Sequence, residues 1–105
     1  MFFGCSSLKK LNLSNFNTNN VEYMSYMFYE CKSLTKLNLS NFNTNRVKNM
    51  DSMFYKCSSL KELNLSNLNT NNVTNMSYML FGCSDELKNK IKQQKKTYLF
   101  NILIL

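Results

Sequence analysis

Histidine, proline and tryptophan are absent from this 105-residue chain, and glycine occurs only at Gly4 and Gly82. Each absence removes a class of chemistry. Without histidine there is no Cys–His or Ser–His nucleophile pair and no Cys₂His₂ zinc site. Two isolated glycines cannot make a phosphate-cradling loop. Acids are scarce as well. Residues 1–84 hold only Glu22, Glu30, Asp51 and Glu62, scattered along the chain, with no pair suited to acid/base work or a calcium loop. No enzyme and no cofactor is expected. Long apolar runs are missing too. The longest, residues 98–105 (YLFNILIL), is too short to span a bilayer core, which needs about 20 residues. The opening MFFGC has no basic segment and no long apolar segment, so it does not read as a secretory signal.

What the sequence has in abundance is repetition. Cys5, Cys31, Cys57 and Cys83 fall 26 residues apart, inside MFFGC, MFYEC, MFYKC and MLFGC. Copies begin at Met1, Met27, Met53 and Met79. A fixed period of this length is the signature of a solenoid. Residues 1–83 are read as about three repeat coils, and residues 84–105 as a capping helix followed by an apolar tail.

Within a copy, Leu8, Leu11 and Leu13 give L-x-x-L-x-L, repeated at Leu34, Leu37, Leu39 and at Leu60, Leu63, Leu65. The alternation predicts short strands at 10–13, 36–39 and 62–65. Asn-rich turns follow, interrupted once per copy by Phe16, Phe42 or Leu68, which are expected to point inward and stack. Val21, Met24, Met27, Phe28 and Cys31 are then spaced three or four apart, as are their equivalents. That spacing predicts a helix of two to three turns, capped by Asn19 with Glu22 completing a capping box. Stacked copies would place a short parallel sheet on the concave face and short helices on the convex face. After Cys83 the pattern stops. Ser84 or Asp85 is expected to cap a helix over 86–96 with Leu87 and Ile91 inward.

The cysteines are expected to form a buried thiol ladder. At about 4.8 Å per copy the first and fourth are about 14 Å apart, far beyond a shared zinc with bonds of about 2.3 Å. Parallel Cβ vectors also suit disulfides poorly. The seven methionines share helical spacing with Val and Phe and read as core. Net charge is +7, and the tail is the more basic part for its length, with Lys88, Lys90, Lys92, Lys95 and Lys96. These lysines read as a solvated helix face. No aromatic interleaving or docking motif points to nucleic acid.

One strip remains for recognition. Asn12, Asn38 and Asn64 sit between inward leucines and should line the exposed sheet face. Lys10, Lys36 and Glu62 flank them on one side, and Ser14, Ser40 and Ser66 on the other. Concave repeat surfaces present such rows to protein partners. The first coil, entered in mid-repeat, is expected to leave an open edge for self-association. The alternative reading is a structural fragment or self-stacking unit of a longer repeat protein.

The stretch MFYKCSSLKELNLSNLNTNNVTNMSYM resembles the 26-residue BspA-like class of leucine-rich repeats. The resemblance covers residues 1–83 and rests on M-F-x-x-C-x-S-L-x-x-L-x-L-S-x-F-x-T-x-x-V-x-x-M. It implies a surface or secreted protein of a bacterium or protist. It also implies a non-enzymatic role in adhesion to host proteins or other cells.

Overall fold

A computed structural model describes residues 7–65 and 68–94. Cys5, Ser66 and the apolar tail at 97–105 lie outside these residues.

Strands β1 (Lys36–Asn38) and β2 (Glu62–Asn64) pair in parallel, with Leu37 opposite Leu63 and Asn38 opposite Asn64. In each strand the leucine is buried between two exposed residues, the period of two that the sequence carries. Both strands are shorter than the four residues expected. In β1 the cause is local: Asn38 Oδ1 accepts the Ser40 N–H at 2.9 Å, a turn that follows directly on the last ladder bond, Leu39 N–H to Asn64 O at 3.3 Å. In the first copy the strand reduces to a single parallel bridge, Lys10 to Lys36.

The helix expected over Val21–Cys31 and its equivalents does not form. Tyr26, Glu30, Ser52, Lys56, Tyr78 and Gly82 all have φ between 55° and 81°. A left-handed residue every four positions cannot propagate an α-helix. The chain instead makes successive tight turns, such as Tyr29 N–H to Tyr26 O at 3.2 Å and Cys31 N–H to Phe28 O at 3.2 Å. These turns repeat roughly every three to four residues and so imitate helical spacing in the sequence. The intervening N–H groups reach across to the next copy. Met24, Tyr26, Phe28 and Glu30 donate to Asn49, Asp51, Met53 and Tyr55 at 2.7–3.0 Å. Met50, Ser52, Phe54 and Lys56 donate in the same way to Asn75, Ser77, Met79 and Phe81 at 2.6–3.0 Å. Parallel bridges Tyr23–Asn49–Asn75 continue this second ladder.

The capping box is also replaced. The Asn19 N–H bonds to Asn17 Oδ1 at 3.0 Å, and Glu22 pairs with Lys48 at 2.9 Å. A buried threonine clips each copy to its neighbour. Thr44 Oγ1 donates to Asn69 O at 2.9 Å and accepts the Asn69 N–H at 2.7 Å. Thr18 does the same with Asn43 at 3.1 and 2.9 Å. The hydroxyl thereby completes two backbone groups of the turn, one C=O and one N–H.

Between the two ladders lies one apolar core. It contains Leu34, Leu37, Leu39, Met50, Met53, Leu60, Leu63 and Leu65, with Phe28 stacked on Phe54 at 5.7 Å. Phe42 and Leu68 are buried here, but Phe16 is 37 % exposed, contrary to the inward orientation expected of it. Phe16 belongs to the first described copy, an end position, whereas Phe42 is flanked by copies on both sides. Helix α1 (Asp85–Gln94) closes the other end. Ser84 Oγ accepts the Leu87 N–H at 3.1 Å as its N-cap, and Asp85 and Glu86 occupy the first turn. Leu87 and Ile91 are buried, and Lys90 Nζ bonds to Lys61 O at 3.2 Å.

Candidate binding surface on the sheet face

The pairing of β1 with β2, and of Lys10 with Lys36, sets equivalent residues side by side. Lys10, Lys36 and Glu62 form one row, and Asn12, Asn38 and Asn64 the next, all exposed. These six residues line a shallow groove of about 580 Å³ together with Leu11 and Leu37. Ser14 is exposed and Ser40 half-buried beside it. Lys36 pairs with Glu62 at 3.2 Å, both largely in solvent. Lys10 has no acidic partner among the described residues, so the strip is positive at its first copy and neutralised toward its last.

The asparagines do more than display amides. Asn12 Oδ1 accepts the Ser14 N–H at 2.9 Å, as Asn38 Oδ1 does for Ser40. Their carbonyl oxygens are therefore committed to the turn that ends the strand. The terminal NH₂ groups of Asn12 and Asn38 remain to donate to a partner.

Two further surfaces escaped the sequence reading. A second groove of about 520 Å³ is lined by Asn20, Glu22, Arg46, Lys48, Asn72 and Thr74. There the Lys48 ammonium, hydrogen-bonded to Glu22, holds the Glu22 carboxyl below its ordinary range and lifts its own pKa in return. The sequence signal was a charged or polar residue at the same place in each copy. The other surface is a row of rings. Tyr29 stacks on Tyr55 at 4.8 Å, and Tyr55 on Phe81 at 5.1 Å, with Tyr26 and Tyr78 set edge-on at its two ends. The third residue of MFYEC, MFYKC and MLFGC carries it.

Cys31, Cys57 and Cys83 are buried thiols. Cys57 Sγ donates to Phe28 O at 3.0 Å and Cys83 Sγ to Phe54 O at 3.2 Å. Burial pushes the Cys57 thiol far above its usual range and the Cys83 thiol up to about 11. No metal-holding cluster occurs among the described residues, and no helix there is long and apolar enough to cross a membrane.

The exposed strip and the two-ladder stack define a protein of repeated, register-paired 26-residue copies. Residues 1–98 match a family model described as "Mycoplasma protein of unknown function, DUF285", and the chain belongs to that family. No curated protein and no solved structure matches it.

Proposed function

We propose that the chain is a non-enzymatic leucine-rich-repeat module that binds a protein partner in adhesion or surface interaction. In this reading the copies form a short solenoid with its strands on the concave side. The partner lies along the polar strip of that face. The observation that carries the reading is the groove over Lys10, Asn12, Lys36, Asn38, Glu62 and Asn64, where equivalent side chains of three copies converge on one open surface. Rows of this kind suit an extended contact made of many weak, regularly spaced interactions.

The test uses charge reversal, because substituting Asn38 would also remove a turn. Proteins retained by the immobilised chain are re-measured against Lys10→Glu combined with Lys36→Glu, with Lys48→Glu on the other groove as control. Affinity should fall at least about tenfold for the double variant, roughly 1.4 kcal/mol, and stay unchanged for the control. Equal affinity for all three forms would refute the assignment.

A further inference from the structure

The ladder through residues 24–30, 50–56 and 76–82 has a direction. In each copy the alternate N–H groups point toward the following copy, and the alternate carbonyls accept from the preceding one. At the last copy the same donors are Met76, Tyr78, Leu80 and Gly82. None of them finds an acceptor among the described residues. The Leu80 side chain is turned into the core, 2 % exposed, while Tyr78 and Gly82 are exposed. Thr70 is in the same position: its equivalents Thr18 and Thr44 clip the next copy, and it clips nothing described.

The other half of this end is closed. Helix α1 packs on β2 through Leu87 and Ile91 and places Lys90 Nζ on Lys61 O. In the preceding copies the equivalent carbonyls, Lys9 O and Thr35 O, accept from the following copy. The helix thus stands where a following strand would lie, and a whole second copy stacked on this end would collide with it. Among the described residues, nothing pairs with a rim one segment wide. Its polarity is fixed, because donors alone face outward. Its outer edge carries Phe81, 40 % exposed, at the end of the stacked row Tyr29–Tyr55–Phe81.

We propose that the Met76–Gly82 rim binds one extended polypeptide segment of a partner protein, taken on as the next rung of the ladder. This is backbone recognition by strand addition. The segment would supply carbonyl oxygens at alternate positions to the four N–H groups. Beside the last of these carbonyls it would carry an aromatic side chain to stack on Phe81, as Phe81 stacks on Tyr55. The molecule contains the complement twice already, in Asn49–Tyr55 and Asn75–Phe81. A single anion would reach one or two donors and leave the rest unpaired. This site is separate from the strip of the sheet face, and neither depends on the other.

The probe is the synthetic peptide of residues 49–58, NMDSMFYKCS with Cys57→Ser, titrated into the ¹⁵N-labelled full chain. Binding at up to about 1 mM peptide should shift the amides of Met76, Tyr78, Leu80 and Gly82 and slow their hydrogen exchange at least about tenfold. A scrambled peptide should do neither, and Phe81→Ala should weaken the response while leaving the same amides affected. No shift at that concentration, or shifts confined to Lys36, Asn38, Glu62 and Asn64, would overturn the proposal. Concentration-dependent shifts of the rim amides without peptide would assign the rim to a second copy of the chain and equally overturn it.

Discussion

Replacing Thr44 by valine isolates the side-chain clip that joins one copy to the next. Valine has nearly the same shape, so packing around this 1 % exposed position is retained. What disappears is a hydroxyl that donates to Asn69 O at 2.9 Å and accepts its N–H at 2.7 Å. Two backbone groups lose their partner at once. Each such loss in a buried setting costs about 1–3 kcal/mol. Asn69 is half-buried, which favours the lower part of the range, so Thr44→Val should cost about 2–4 kcal/mol. Thr44→Ser keeps the hydroxyl and removes one methyl, a loss of about 1 kcal/mol. A domain of this size has about 5–15 kcal/mol to lose, so the difference is large. Urea unfolding followed by circular dichroism measures both. The valine variant should lower the midpoint by roughly 1–3 M, and the serine variant by clearly less. If valine stays within about 0.5 kcal/mol of the parent, or serine falls as far as valine, the clip does not hold the copies together.

Gly82 has φ +81°, and an added Cβ would stand 2.8 Å from Lys56 Cγ, so Gly82→Ala should cost about 1–2 kcal/mol in thermal unfolding. Lys56→Gly, at the equivalent left-handed position with φ 57°, should instead be neutral or stabilising by up to about 1 kcal/mol. Asn38→Ala removes the acceptor that turns the chain at Ser40 and should cost about 1 kcal/mol, whereas Lys36→Ala, which breaks an exposed ion pair, should cost less than about 0.5 kcal/mol. Cys57 and Cys83 should resist a thiol reagent at pH 8 until the chain is unfolded. Both thiols have raised pKa values in the folded chain. Their contribution is complete below the ordinary value of 9.0 and is lost as pH rises, for Cys83 between 9.0 and about 11. Unfolding measured across that interval should show stability falling with pH.

The sequence disclosed the parts of this molecule that depend on spacing between copies. Cysteines 26 apart in the chain do become neighbours in register, with Cys83 Sγ on Phe54 O one copy back. Leu37 and Leu63 face inward because strand alternation leaves them no other side. Lys36, Asn38, Glu62 and Asn64 share a face for the same reason. Spacing within a copy was less informative. Apolar residues three or four apart fit a helix and fit a chain of four-residue turns equally well. Only backbone dihedrals at Tyr26, Glu30 and their equivalents separate the two. Gly82, and Gly4 at the matching place in the sequence, were the available hint of a left-handed position. The dual role of Asn12 and Asn38 was hidden as well, because an asparagine beside a strand can face a partner or bond its own backbone. The rim at Met76–Gly82 required knowing which N–H groups each copy spends on its neighbour.

The central claim is that each copy is held by the backbone of the next, and amide hydrogen exchange resolved residue by residue tests it directly. Met24, Phe28, Met50 and Phe54 should be protected, since each donates across to the following copy at 2.9–3.0 Å. Met76, the equivalent of Met24 and Met50, should exchange at least about a hundredfold faster, as should Tyr78 against Tyr26 and Ser52, and Gly82 against Glu30 and Lys56, all four of which also donate to the following copy. Equal protection in all three copies, or a protected helical pattern through 21–31, would contradict the account.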